Sequence, residues 1–220
     1  MKNTDIPKAV LILRREIKRW KESALGVVQH STQTPDPFLI LISCVISLRT
    51  KDAVTMAASN RLFRLAKTPK TLAALSPAKI AKAIYPASFF RVKSHSLKGI
   101  ATDIVRKYDG KTPDEIDELL TLKGVGRKTA NLVVTLGFNK PGICVDIHVH
   151  RISNRWGYIK TKTPEESEIA LRKKLPKRYW IEYNDLLVPY GQHLCAPVSP
   201  RCSECKLSRY CDRVGVTKSR

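Results

Sequence analysis

Four cysteines, Cys195, Cys202, Cys205 and Cys211, follow the spacing C-x6-C-x2-C-x5-C in a segment that also holds Pro197 and Pro200. In a reducing compartment, thiols crowded in this way favour a metal over disulfides. Four thiolates suit zinc or a [4Fe-4S] cluster. Zinc sites usually bring two close cysteine pairs and this segment has one, which puts iron-sulfur ahead. Cys44 and Cys144 sit alone in apolar surroundings and read as small core residues rather than nucleophiles.

A second constellation lies over residues 112–138. Thr112 to Leu120 reads as a capped helix, Thr121 to Gly126 (TLKGVG) as a turn, and Arg127 to Phe138 (RKTANLVVTLGF) as an apolar-faced second helix: a helix-hairpin-helix. Gly124 and Gly126 let the backbone bend and approach a ligand. With Val125 and Arg127 they place outward amides at the positive end of a helix, where a phosphate can sit without help from any side chain. Lys128 follows in the first turn of that helix. The dipole and the neighbouring guanidinium both disfavour an ammonium there, and a neutral amine attacks carbon; a surface lysine or a phosphate contact is the plainer alternative. Downstream, Cys144 to Arg151 (CVDIHVHR) puts Asp146 at a helix N-cap, a role compatible with catalysis because the capped amides fix the carboxylate's orientation. His148 and His150 diverge on that helix, cannot easily share a metal, and read as structural or DNA-facing.

These residues need a scaffold, and 220 residues suffice for a sizeable core. Asp36-Pro37, Thr68-Pro69, Ser76-Pro77, Thr112-Pro113 and Thr163-Pro164 each read as an N-cap followed by proline at the first helical position. Glu166, three residues beyond Thr163, adds a capping box. Apolar residues recur at helical spacing and no run alternates convincingly, so the fold class is all-α, with about ten short helices. The uncharged stretch Pro37 to Leu48 is too short to span a bilayer and reads as a buried helix. Charges scattered through the first twenty residues argue against a signal peptide. The expectation is a soluble, cytoplasmic protein that avoids membranes and is monomeric.

Forty Lys and Arg against nineteen Asp and Glu give a formal charge of +21, spread along the whole chain. Such a surface seeks a polyanion; nucleic acid leads, although a membrane surface would meet the same charge.

Together, LKGVGRKTA, VDIHVHR and the cysteine tail resemble the endonuclease III family, from about Pro37 to Cys211. The resemblance implies two helical lobes with a DNA-binding cleft: a six-helix domain near residues 30–140 containing the hairpin, and a cluster domain made of residues 1–29 with 141–220. It implies a [4Fe-4S] cluster on Cys195, Cys202, Cys205 and Cys211, which shapes a loop bearing Arg201, Lys206 and Arg209 and performs no chemistry. It makes Lys128 the nucleophile and Asp146 the catalytic aspartate. The implied function is base excision DNA repair by a bifunctional DNA glycosylase that removes oxidised pyrimidines from double-stranded DNA. Abasic sites, met or made, are then cleaved by β-elimination through a lysine Schiff base. Two departures stand out. Lys123 replaces the family's usual proline in the hairpin, and Arg49 stands where glutamine commonly fills the gap left by a flipped base, which changes the expected opposite-base preference. Phe89 falls at the wedge position, with a core role as its alternative. The competing readings are a mismatch-specific glycosylase, against which Lys128 argues, and a non-catalytic iron-sulfur DNA-binding protein.

Overall fold

The computed structural model describes residues 1–20 and 36–220. Among the described residues there are eleven α-helices and no strand, the all-α class expected. In chain order they are α1 (Ile6–Glu16), α2 (Pro37–Ser47), α3 (Asp52–Leu65), α4 (Pro69–Ala74), α5 (Pro77–Ile84), α6 (Phe90–Lys107), α7 (Ile116–Leu120), α8 (Arg127–Leu132), α9 (Ile147–Arg155), α10 (Pro164–Lys174) and α11 (Trp180–His193). Backbone contacts divide the chain into Ser23–Lys140 and a second unit made of Met1–Glu22 with Pro141–Arg220. A boundary at residues 29 and 30 falls outside the described residues.

In the unit that holds α2 to α8, α2 is the buried helix its composition implied. Eight of its residues, from Phe38 to Ile46 with Leu39 excepted, are buried, and each leucine- or phenylalanine-sized side chain so covered contributes about 1.5–3 kcal/mol. Its start is fixed by Asp36, whose carboxylate accepts from the amides of Phe38 (2.8 Å) and Leu39 (3.3 Å), with Pro37 at the first helical position. Thr68 and Ser76 cap α4 and α5 in the same way. The long helix α6 packs against both, and Lys98 on it donates to the carbonyls of Ala73 (2.9 Å) and Leu75 (2.8 Å), satisfying orphan oxygens at the end of α4.

The hairpin is built differently at its two ends from the sequence reading. Its first helix begins at Ile116 rather than Thr112. Lys140 pairs with the carboxylates of Asp114 (3.0 Å) and Glu115 (2.5 Å) just before this helix begins. Its second helix, α8, runs into a π-turn at Val133–Gly137. There the Thr135 hydroxyl donates back to the carbonyls of Asn131 (2.8 Å) and Leu132 (3.2 Å), loosening the α ladder. A Cβ on Gly137 would lie 2.9 Å from Pro37 Cα, so the absence of a side chain lets this segment meet the start of α2.

The other unit wraps its core around α1 and α9 to α11. Ile6, Val10 and Leu13 of α1 pack with Val149 and Ile152 of α9, Leu171 of α10, and Tyr183, Leu187 and Tyr190 of α11. Arg14 of α1 meets Glu182 of α11 in a two-pronged pair at 2.9 and 2.7 Å. Thr163 caps α10 by accepting from the Glu166 amide, but the Glu166 carboxylate reaches back to the amide of Lys162, one residue before the capping-box donor. No described helix is long and apolar enough to cross a membrane.

Candidate functional site

The hairpin turn is held by its own backbone. Gly124 has φ +93°, a conformation that favours glycine, and the amide of Val125 donates to the Leu122 carbonyl at 3.0 Å. Val125 turns its side chain inward (6% exposed), so with its amide also engaged it secures the turn. Gly126 is the N-cap of α8 with no side-chain cap, and a Cβ there would meet nothing within 4 Å. Nothing in the protein requires glycine at 126. The space beside its Cα is open, directly before the first residues of α8. Arg127 and Lys128 are exposed on that first turn, while Thr129 to Leu132 are buried. The Lys128 charge acts on Cys44 of α2: burial pushes that thiol up to about 12, and the lysine opposes the rise. Cys44 is a core residue, 1% exposed, as its surroundings suggested.

Asp146 caps α9. Its Oδ1 accepts from the amides of His148 (2.8 Å) and Val149 (2.9 Å), which fixes the plane of a carboxylate only 9% exposed. Both histidines of this helix have polar partners within their own unit: Nδ1 of His150 lies 2.6 Å from the Ser167 hydroxyl, and Nδ1 of His148 lies 3.0 Å from the Arg151 guanidinium.

At the far end of α9, Arg155 binds the start of the cysteine segment, donating to the carbonyls of Ala196 (2.6 Å) and Pro197 (2.5 Å) and to Cys195 Sγ (3.4 Å). All four cysteines are free of disulfides and line one cavity walled by Trp156, Tyr190 and Leu194. Among the described residues, no three His, Cys, Asp or Glu side chains are grouped for a single metal ion. The chemistry of this cavity fits a thiolate-ligated group. Burial raises the Cys205 and Cys211 thiols, so bare thiolates are disfavoured. At the same time donors face sulfur: the Tyr190 hydroxyl is 2.9 Å from Cys205 Sγ and the Arg213 amide 3.4 Å from Cys211 Sγ. A cationic inorganic core would remove the burial penalty and keep those hydrogen bonds.

Arg49 and Phe89 lie in the unit that holds the hairpin, and both adopt φ +57°. Left-handed backbone costs a residue with a side chain roughly 1–2 kcal/mol, so the surroundings must enforce it. The guanidinium of Arg49 sits 5.3 Å from the centroid of the Phe89 ring, and Phe89 is 58% exposed, which rules out a core role.

Comparison with known proteins identifies the family. Residues 42–177 match the HhH-GPD superfamily base excision DNA repair protein family. Endonuclease III of Thermotoga maritima is 47% identical over 177 residues, covering 80% of this chain and 83% of that protein. The chain belongs to the endonuclease III family. It is a DNA glycosylase and abasic-site lyase of base excision repair. A chloroplastic endonuclease III homologue of Arabidopsis thaliana is 41% identical over 79% of this chain, which spans about half (48%) of its length. Among solved structures, a trapped endonuclease III–DNA covalent intermediate aligns with a TM-score of 0.82 and 29% identity over 97% of both chains.

Sequence reasoning missed several residues of this endonuclease III family member. Lys93, Thr50 and Ser88, which fasten the Arg49 and Phe89 segments, carry no motif, and one lysine among forty basic residues announces nothing. Arg155 and Tyr190, which serve the cysteine cavity, had only their helical setting as a signal.

Proposed function

We propose that this chain excises oxidised pyrimidines from duplex DNA and then cleaves the abasic site through Lys128. In this reading the hairpin seats a backbone phosphate on the first amides of α8 beside Gly126. The damaged nucleotide is extruded from the stack. The Lys128 amine attacks the sugar C1′ as the base leaves, carrying the base's bonding electrons with it. Asp146, oriented by two amides, stabilises the developing positive charge on the sugar or takes the amine proton. Ring opening gives a Schiff base, which acidifies C2′, and loss of that proton expels the 3′ phosphate by β-elimination. Cys195, Cys202, Cys205 and Cys211 would hold a [4Fe-4S] cluster, which when bound ties together the loop carrying Arg201, Lys206 and Arg209. Arg49 and Phe89 would face the gap left by the flipped nucleotide, with arginine altering which opposite base is preferred.

The observation that carries this reading is a lysine exposed on the first turn of α8, directly after a glycine turn with open space before it. The covalent DNA complex trapped for a related endonuclease III supports a covalent attack on DNA. Borohydride reduction during incubation with abasic or thymine-glycol duplex tests it. A covalent protein–DNA adduct is expected, and it should vanish in Lys128→Ala. An adduct that persists in that variant assigns the nucleophile elsewhere, and base release with no adduct in the parent protein favours the mismatch-type glycosylase.

A further inference from the structure

We infer that Lys93 is a positioning residue for nucleotide extrusion, because its buried side chain locks Arg49 and Phe89 into a single two-residue wedge. The inference rests on the reading that these two residues face the gap left by the flipped nucleotide. Lys93 lies in the first turn of α6, and only 7% of it is exposed. Its Nζ donates to three oxygens: the carbonyls of Ile46 and Leu48, each at 2.6 Å, and the Thr50 hydroxyl at 2.9 Å. Two of these, Leu48 and Thr50, flank Arg49 directly.

The other half is tied in through Thr50, beside an ordinary helical backbone bond. The Lys93 amide donates to the Phe89 carbonyl at 2.9 Å, and the amide of Ser88 donates to the Thr50 hydroxyl at 3.1 Å. Thr50 Oγ1 therefore joins the chain just after Arg49 to the chain just before Phe89, with Lys93 donating into the junction. Neither wedge residue can return to ordinary backbone angles without breaking part of this network.

The chemistry calls for lysine. Three convergent acceptors match the three hydrogens of an ammonium, and two of them are carbonyls at the negative end of α2. Burial lowers this lysine to about 8, so it is held in an environment that disfavours its charge except for these oxygens. The proposed mechanism gives the group no other task. A wedge held rigid before it meets DNA loses little conformational freedom on insertion, so more of the contact energy is available to separate the bases. Arg49 stacked on Phe89 then presents a flat aromatic face and a planar fork as one body.

The test compares excision of thymine glycol with incision of a preformed abasic site, where no base has to be unstacked. It also follows 2-aminopurine fluorescence from the strand opposite the lesion. Lys93→Met should lower the ratio of excision to abasic incision by at least about tenfold and abolish the fluorescence rise. Should Lys93→Met fail to fold, Thr50→Val severs the junction from the other side and should give the same pair of changes, with Thr50→Ser restoring both. Parallel loss of both activities, or an unchanged ratio in a folded variant, overturns the inference. Phe89→Ala separates the two levels of argument. If it removes the fluorescence rise and the Lys93 and Thr50 variants do not, the positioning role fails; if it changes nothing while Lys128 still traps DNA, the wedge reading fails and takes this inference with it.

Discussion

Lys128 and Lys93 have the same side chain and opposite surroundings, and the roles proposed for them differ accordingly. Lys128 stands exposed at the start of a helix, where its amine can reach a ligand; Lys93 is enclosed by oxygens and can only hold. Asp146 holds in the structure and would act in the proposed mechanism, since the amides it caps also fix the carboxylate's orientation. Asparagine caps helices as well as aspartate does. Asp146→Asn should therefore keep its melting temperature and its affinity for duplex while turnover falls by about 10²–10⁴. Steady-state kinetics beside a binding isotherm check this, and normal turnover would remove Asp146 from the chemistry.

At the scale of elements, the hairpin contrasts two glycines needed for different reasons. Gly124 is required by its backbone angle, whereas Gly126 meets no such demand within the protein and would serve the phosphate seat of the proposed function. Gly124→Ala should lower stability by about 1 kcal/mol or more, seen in thermal unfolding. Gly126→Ala should leave unfolding unchanged and weaken duplex binding, because its methyl group would occupy the approach to the α8 amides; unchanged affinity would remove the turn as a phosphate seat. Helix α9 presents its own division, with Asp146 at its N-cap and Arg155 gripping the cysteine segment at its last residue. Replacing Arg155 by leucine strips two carbonyls and a sulfur of their donor. The purified variant should carry less iron than the parent and lose it faster to a chelator, measured by iron and sulfide assay.

For the molecule as a whole, the charge of +21 should dominate affinity for DNA. Raising salt from about 50 to about 200 mM should weaken duplex binding by on the order of 10³, as expected when several phosphate contacts release counterions. A flat titration would mean that phosphates contribute little. The same preparations give the cluster its test: iron and acid-labile sulfide in equal amounts are expected, and stoichiometric zinc in a colourless protein would replace the [4Fe-4S] assignment.

What the sequence by itself determined is local. Prolines after short polar residues mark where α2, α4, α5 and α10 begin, because a cap and its amides are neighbours in the chain. The glycine turn, the cap at Asp146 and the cysteine spacing were legible for the same reason. Where a local signal stands alone it can mislead: Thr112-Pro113 reads as a cap, yet α7 starts at Ile116, and Glu115 instead pairs with Lys140, twenty-five residues beyond it. Only the tertiary structure decided that Lys93 reaches back 47 positions to Ile46 and that Arg155 reaches forward 41 to Ala196. A buried donor must find an acceptor, and folding, rather than the residues beside it, chooses which one.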